Sequence, residues 1–144
     1  MNKILKKTQF SEKVYYLEVE APLIAKARRA GHFVIVRCGD MGERIPLTIA
    51  DADAEKGTID IVFQTVGAST RQLGLLAAGD SLADLVGPLG RPTDIRDYTT
   101  PARKGRVIVV GGGIGTAPLL LLCKELCRAG VRPDLYVGFR DTSY

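Results

Sequence analysis

The chain has 144 residues, 46% hydrophobic and 25% charged, a composition typical of a folded globular protein and not of a disordered one. Its net charge of +4 comes from 20 basic and 16 acidic residues spread along the chain, which argues against a dedicated nucleic-acid surface. The chain contains neither a secretory-type apolar leader nor an apolar segment long enough to span a bilayer, so we expect a cytoplasmic protein.

Residues 1–97 predict short β-strands. Apolar and polar residues alternate over residues 14–19, 33–36 and 58–63, and glycine, proline and aspartate separate these segments. The pattern predicts an antiparallel barrel or sandwich with one helical insert at about residues 69–76.

The first motif that carries chemistry is the strand at residues 44–49, which reads Arg-Ile-Pro-Leu-Thr-Ile. Alternation places its three aliphatic side chains in the core and places Arg44, Pro46 and Thr48 on the opposite face. That face suits a flat ligand with an anionic tail, because arginine forms strong charge-assisted hydrogen bonds with phosphate. An edge strand with a solvated arginine is the alternative interpretation.

The second motif spans residues 67–73. Ser69 and Gln72 have the spacing of a capping box, which predicts the start of a helix. The free N–H groups of a helix N-terminus bind anions, and Arg71 in the first turn is consistent with a bound phosphate. A plain capped helix without a ligand is the alternative.

The hydrophobic pattern changes from alternating to continuously apolar after the polar, proline-bounded segment at residues 90–101. We therefore place a domain boundary there, with one unit at 1–97 and a second at 98–144. Residues 106–110 are continuously apolar, as in a parallel strand that is covered on both faces. A helix at about 116–129 that ends at Gly130 and a strand at 134–137 complete one βαβ unit. Because a nucleotide-binding sheet needs more strands, we expect a fragment or a sheet completed by another chain.

The third motif is the glycine loop at residues 111–118, between the predicted buried strand and the helix. Glycines at a strand-to-helix turn let backbone amides approach a dinucleotide pyrophosphate. From Gly113 the pattern is Gly-x-Gly-x-x-Pro, with Pro118 in place of the third glycine, and proline is tolerated in a first helical turn.

The remaining reactive residues predict structural roles. Cys123 and Cys127 are spaced to share one helix face and are expected to pack as small apolar groups, while Cys38 has no partner in sequence. His32 is expected to be solvent-facing or locally bonded, because no partner for catalysis is visible. We find no metal-binding cluster in the sequence.

In this order the motifs resemble the ferredoxin–NADP reductase superfamily. Residues 43–51 and 61–64 look like the flavin (alpha) subunit of NADH-dependent ferredoxin–NADP oxidoreductase, or sulfide dehydrogenase, and the dihydroorotate dehydrogenase electron-transfer subunit is a close cousin. The resemblance covers all 144 residues but only about half of what such a subunit contains. It implies an antiparallel FAD-binding β barrel followed by the first βαβ unit of a Rossmann-like NAD(P)-binding domain.

The resemblance also implies roles for particular residues. Arg44 would bind the FAD phosphates, Thr48 would lie near flavin N5, and Pro46 and Leu47 would line the isoalloxazine. Ile45 and Gln64 complete the FAD-contacting strands, and the pyrophosphate would be capped by Gly67, Ser69 and Thr70. The NAD(P) phosphates would lie over Gly111, Gly113, Gly115 and Thr116, with Pro118 fixing the start of the helix.

The implied function is an NAD(P)H-dependent flavoprotein oxidoreductase that moves electrons between nicotinamide, FAD and an iron–sulfur partner. Hydride exchange needs no side-chain acid, base or nucleophile. A 2Fe-2S cluster is expected only in a C-terminal portion outside these 144 residues, and a larger flavin or iron–sulfur subunit, or ferredoxin, as the partner. A dihydroorotate dehydrogenase electron-transfer subunit and a non-catalytic scaffold are alternatives. A single-stranded nucleic-acid barrel would leave the glycine loop unexplained.

Overall fold

The computed structural model describes residues 2–100 and 105–140. The strands are β1 (Ile4–Gln9), β2 (Val14–Glu20), β3 (Phe33–Arg37), β4 (Ile45–Asp53), β5 (Thr58–Gln64), β6 (Asp84–Leu89), β7 (Ile108–Gly112) and β8 (Asp134–Gly138). The α-helices are α1 (Pro22–Ala27), α2 (Ala68–Leu75), α3 (Arg96–Thr99) and α4 (Leu119–Arg128), with a 3-10 helix at Gly113–Thr116.

The first six strands form one antiparallel sheet in the order β1-β2-β5-β4-β3-β6, which we call the β unit together with α1 and α2. The predicted strands at 14–19, 33–36 and 58–63 are confirmed as β2, β3 and β5. Their inward side chains, among them Leu17, Val34 and Ile61, are completely buried in one core. Period-two alternation therefore identified the core face of these strands.

The β unit is a partly closed barrel, because no continuous hydrogen-bonded ladder joins its edge strands β1 and β6 among the described residues. β1 and β6 lie at the two edges of the sheet, and a single bridge joins Lys3 to Ser81 in the segment before β6. Ile4 N donates to Asp80 O, and Gly79 N donates to Ile4 O, both at 2.8 Å. The predicted antiparallel fold class is confirmed as an incompletely closed barrel.

Two short helices were not predicted. α1 follows Ala21, its proline lies in the first turn where an N–H is not needed, and Ile24 and Ala25 are buried against the sheet. The prediction of a single helical insert in this half is therefore wrong. α3 lies within the predicted linker, whose residue 101 is outside the described part of the chain.

The second unit, residues 105–140, is the predicted βαβ arrangement, and we call it the α/β unit. β7 and β8 pair in parallel, with Ile108 opposite Asp134. α4 begins three residues later than the predicted 116 because Gly113–Thr116 forms a 3-10 turn and Pro118 occupies the N-cap. Gly130, with a left-handed φ of +82°, follows the helix as predicted.

The prediction that β7 is covered on both faces is wrong for the described residues. Val107 and Val109 are buried against α4, but Ile108 and Val110 are 61% and 72% exposed. The apolar run identified a parallel strand, while the covering on its second face is not supplied by residues 2–100 or 105–140.

The two predicted packing cysteines of α4 differ. Cys123 is half-buried against the core of the α/β unit, whereas Cys127 is exposed, so the expectation fails for Cys127. The buried positions of this helix are instead Leu121, in the core of the β unit, and Leu126, in the core of the α/β unit.

The β unit and the α/β unit pack against each other through α4. Leu121 is completely buried in the core cluster of the β unit, and Leu122 touches both cores. None of the described helices has the length and apolar character that crossing a membrane requires.

Candidate functional site

The predicted alternation of the motif at residues 44–49 is confirmed in β4. Ile45, Leu47 and Ile49 pack into the core of the β unit, while Pro46 and Thr48 are exposed on the outer face. The Leu47 side chain therefore faces the core, and a ligand on the outer face would meet its backbone.

Arg44 precedes β4 and its side chain is 62% exposed. Its Nη2 donates to Asp84 Oδ2 at 2.6 Å, and Arg37 Nε donates to the same oxygen at 2.6 Å. The hydrogen bond from Arg37, with the charge of Arg44, lowers the pKa of Asp84 below its ordinary value. The sequence did not reveal this triad, because it arises from the pairing of β3 with β6.

The start of α2 differs from the predicted capping box. Gly67 is the N-cap, and Thr70 Oγ1 accepts from Gly67 N at 3.0 Å and from Val66 N at 3.1 Å. The predicted box of Ser69 and Gln72 is wrong, because the helix begins at Ala68 and Ser69 lies inside its first turn.

The structure brings the two motifs predicted for FAD together. Ser69 Oγ donates to Glu43 Oε2 at 3.0 Å, and Glu43 directly precedes Arg44. Gln64 ends β5, three residues before the Gly67 N-cap. The first-turn amides of α2, which have no intrahelical acceptor, thus lie in the same region as the arginine.

The three predicted glycines of the loop differ in the space around them and in their backbone conformation. A Cβ at Gly111 would overlap the Leu119 side chain and come within 3.3 Å of Thr116 Cα, so Gly111 lets α4 approach β7. Gly113 has a left-handed φ of +52°. Gly115 faces open space.

A cleft of about 430 Å³ separates the glycine loop from the outer face of the β unit. Thr48 and Gln64 lie two residues from its lining along β4 and β5, so the predicted FAD-contacting residues adjoin the cleft. The walls are mostly apolar and comprise Phe10, Val14, Tyr16, Ala50, Asp51, Asp60, Val62, Gly113, Ile114, Thr116, Ala117, Leu120 and Phe139.

Three polar side chains, those of Tyr16, Asp51 and Asp60, lie at one edge of this cleft. Burial, followed by the negative charges of Asp51 and Glu18, raises the pKa of Asp60 above its ordinary value. Burial and a hydrogen bond with Asp60 raise the pKa of Tyr16. No local sequence pattern predicts this group, because Asp51 and Asp60 become cross-strand partners only when β4 pairs with β5.

The described residues fit dinucleotide groups on three counts. Positions 67 and 115 have open space where a side chain would project, so a ligand can approach the backbone there. Thr116 lines the cleft, and its Oγ1 is buried without a hydrogen-bond partner among the described residues. The first turn of α2 also presents main-chain N–H groups without intrahelical acceptors, a donor type that binds phosphates.

The other reactive residues are structural in the described part of the chain. His32 Nδ1 accepts from Arg29 N at 3.0 Å, the local bonding that was predicted. Residues 2–100 and 105–140 contain no group of three or more histidine, cysteine, aspartate or glutamate side chains suited to a metal ion.

Comparison with known sequences identifies relatives along the whole chain, while no family model matches it. An uncharacterized Clostridium beijerinckii protein is 43% identical over 98% of this chain and 48% of its own length. A Thermotoga maritima homolog of the dihydroorotate dehydrogenase B electron transfer subunit is 40% identical over 100% of this chain and 49% of its own. The chain therefore spans about half the length of these curated relatives.

Comparison with solved structures also finds electron-transfer proteins similar to this chain. The fold matches that of an NADH-dependent reduced ferredoxin–NADP oxidoreductase with a TM-score of 0.92 and 40% identity, over 100% of this chain and 50% of the other. Phthalate dioxygenase reductase matches with a TM-score of 0.75 at 22% identity, over 98% of this chain and 44% of the other, which supports the fold alone. The resemblance to ferredoxin-reductase-like electron-transfer proteins is confirmed.

Proposed function

We propose that this chain, which matches ferredoxin-reductase-like electron-transfer proteins over about half their length, is the FAD-binding portion of an NAD(P)H-dependent flavoprotein oxidoreductase. Residues 1–97 would form the FAD-binding domain, and residues 98–144 would form the first part of the NAD(P)-binding domain. The observation that supports this most is the apolar cleft of about 430 Å³ between the glycine loop and the outer face of the β unit.

On the FAD side, Gly67, Ser69 and Thr70 would cap the pyrophosphate at the start of α2, with the amides of Ser69 and Thr70 as donors and the open space at Gly67 admitting the ligand. Arg44 would add a charge-assisted hydrogen bond, because Asp84 occupies only one of its five N–H donors. The isoalloxazine would lie along the outer face of β4, over Pro46, the Leu47 backbone and the Thr48 hydroxyl, with Ile45 and Gln64 completing the contacts.

On the NAD(P) side, Gly111, Gly113, Gly115 and Thr116 would lie under the phosphates. The roles are divided by the geometry of the loop: Gly111 permits close packing, and Gly115 leaves the backbone open to a ligand. Pro118, at the N-cap of α4, would fix where the helix begins.

The chemistry would belong to the flavin, which accepts a hydride from nicotinamide and can pass electrons on singly. The protein would hold the two rings in the cleft and keep water out with apolar walls such as Val62, Ile114 and Leu120. No described side chain is needed as an acid, base or nucleophile for this transfer.

The electron acceptor would lie outside this stretch. We propose a 2Fe-2S cluster in a C-terminal portion of the full protein and a larger flavin or iron–sulfur partner subunit, with ferredoxin as a further acceptor. A cytoplasmic location is part of the same proposal and is supported by three cysteines that are all free thiols.

The test is anaerobic reduction of the purified full-length protein. We expect bound FAD, visible as flavin absorbance, that is bleached by NADH or NADPH. A protein without flavin that takes up no added FAD would contradict the proposal and favour a non-catalytic scaffold.

One second candidate is favoured by an observation, since the Thermotoga maritima relative bears the name of a dihydroorotate dehydrogenase electron transfer subunit homolog. Co-purification separates the two. A dihydroorotate-oxidising partner would establish this candidate, and a partner that exchanges electrons with ferredoxin would establish the first.

A further inference from the structure

α4 is anchored on the β unit at three separate points. The first is hydrophobic: Leu121, completely buried, belongs to the core of the β unit although it lies on the helix of the α/β unit. Leu121 and the partly buried Leu122 place the helix on this core, but aliphatic contacts are non-directional and leave its rotation less constrained than hydrogen bonds would.

The other two anchors are polar and come from neighbouring residues. Lys124 Nζ forms an ion pair with the carboxylate of Asp51 in β4, and these side chains are 42% and 17% exposed. Glu125 Oε1 accepts from the backbone N–H of Ala30, the segment between α1 and β3, at 2.8 Å. Because consecutive helical residues point about 100° apart, the two side chains reach different parts of the β unit.

The same helix carries the glycine loop. α4 begins at Leu119, immediately after the loop residues that form one wall of the cleft, and Asp51 lines the opposite wall. A rotation of α4 about Leu121 would therefore change the width of the cleft.

We propose that Lys124 and Glu125 are positioning residues that hold the glycine loop at a fixed distance from the outer face of the β unit. Through the proposed function, on which this inference rests, they would set the separation between the nicotinamide bound by the loop and the flavin bound by β4. Neither side chain would touch either ring.

The kinetic consequence is specific. In Lys124→Met and Glu125→Met, which remove the ion pair and the acceptor of the Ala30 N–H, we expect flavin reduction at saturating NAD(P)H to slow about tenfold, because small misplacements of reacting groups strongly reduce rates. FAD affinity should stay within about twofold, because the proposed FAD-binding residues are untouched. Lys124→Arg should restore most of the rate, since it keeps the positive charge opposite Asp51.

A matched control lies on the same helix. Arg128→Met removes an exposed positive charge one turn beyond Lys124, and no ion pair of Arg128 occurs within the described part of the chain. We expect its flavin-reduction rate to match that of the unaltered protein.

A distance measurement tests the inference independently of cofactor chemistry. In the full-length protein, spin-labelled non-natural amino acids in place of the exposed Cys127 and of Glu12 report the distance between the two units without any labelling of thiols. We expect Lys124→Met with Glu125→Met to broaden this distance distribution, and Arg128→Met to leave it unchanged.

An unchanged distance distribution in the double variant would overturn the positioning role. Failure of the proposed function would look different, because the protein would lack flavin while the spin-label distances still responded to the two substitutions. Should the double variant fold poorly, the single Glu125→Met variant gives the same readout, since it keeps a similar side-chain length and removes the acceptor of the Ala30 N–H.

Discussion

Arg44 is a residue whose two partners can be separated experimentally. It donates to Asp84, and we propose that it also binds an FAD phosphate. We expect Arg44→Ala to weaken FAD binding at least tenfold, since a hydrogen bond to a charged group contributes about 1.5–3 kcal/mol. FAD titration followed by flavin fluorescence measures this.

The matched control is Asp84→Asn, which keeps the arginine and removes the charge of its protein partner. FAD should bind this variant as tightly as the unaltered protein, or more tightly. Equal FAD affinity in Arg44→Ala and the unaltered protein would show that the arginine only pairs with Asp84.

Asp60 gives a prediction about pH. Burial first, and then nearby carboxylates, raise its pKa above the ordinary value of 3.8, so the folded chain holds this proton more tightly than the unfolded chain. The free energy of unfolding should therefore fall as pH rises from about 3.8 toward the raised pKa. In urea unfolding over this range, Asp60→Asn should show a smaller fall.

Asp53 supplies the control for Asp60, because its pKa is lowered, mainly by the backbone N–H of Lys56. Its contribution to stability should be present above pH 3.8 and be lost as pH falls toward the lowered pKa. Identical pH slopes in Asp53→Asn and Asp60→Asn would contradict both assignments.

At the level of elements, the packing of α4 against β7 requires glycine at position 111 but not at position 115. A Cβ at Gly111 would overlap Leu119, so Gly111→Ala should lower the free energy of unfolding by about 1–3 kcal/mol, as overpacking does. Gly115→Ala projects into open space, so stability should be kept while NAD(P) affinity falls.

Denaturant unfolding and nucleotide titration of the two glycine variants separate these effects. If Gly115→Ala bound NAD(P) as well as the unaltered protein, the proposed nucleotide site at the loop would be wrong. A stable Gly111→Ala variant would instead show that α4 can shift away from β7.

Sequence patterns predicted the elements whose signals are local. Alternation located β2, β3 and β5, and Gly130 marked the end of α4, because the side-chain period and left-handed glycine are properties of a short segment. The capping of α2 was misassigned because several residues near its start can act as caps, and the backbone geometry at Gly67 decides among them.

Features that arise from pairing between strands could not be predicted in the same way. Arg37 and Asp84 become neighbours only when β3 pairs with β6, and Asp51 meets Asp60 only in the register of β4 and β5. The contacts of Lys124 and Glu125 need the packing of one unit on the other, which no single-segment pattern contains.

For the whole molecule, Leu121 predicts that the two units unfold together. It lies on α4 and is completely buried in the core of the β unit, so Leu121→Ala should cost about 2–5 kcal/mol. In the unaltered protein the amides of β7 and β2 should lose protection together, whereas in Leu121→Ala hydrogen exchange should show those of β7 losing protection first.

The adjacent Leu120, which is 49% exposed, is the control for this prediction. Leu120→Ala should cost clearly less and leave the order of hydrogen exchange unchanged. A single cooperative loss of protection in Leu121→Ala would show that other contacts suffice to couple the units.

The outward side of β7 and β8 has a practical consequence. Ile108, Val110 and Tyr136 are each between 59% and 72% exposed, and they form a contiguous apolar patch on one face, since Val110 pairs with Tyr136. Contiguous surfaces of this kind attract other macromolecules. Produced as these 144 residues alone, the polypeptide should bind fluorescent dyes such as ANS and recruit chaperones during synthesis, and a polar substitution such as Val110→Thr should improve its solubility.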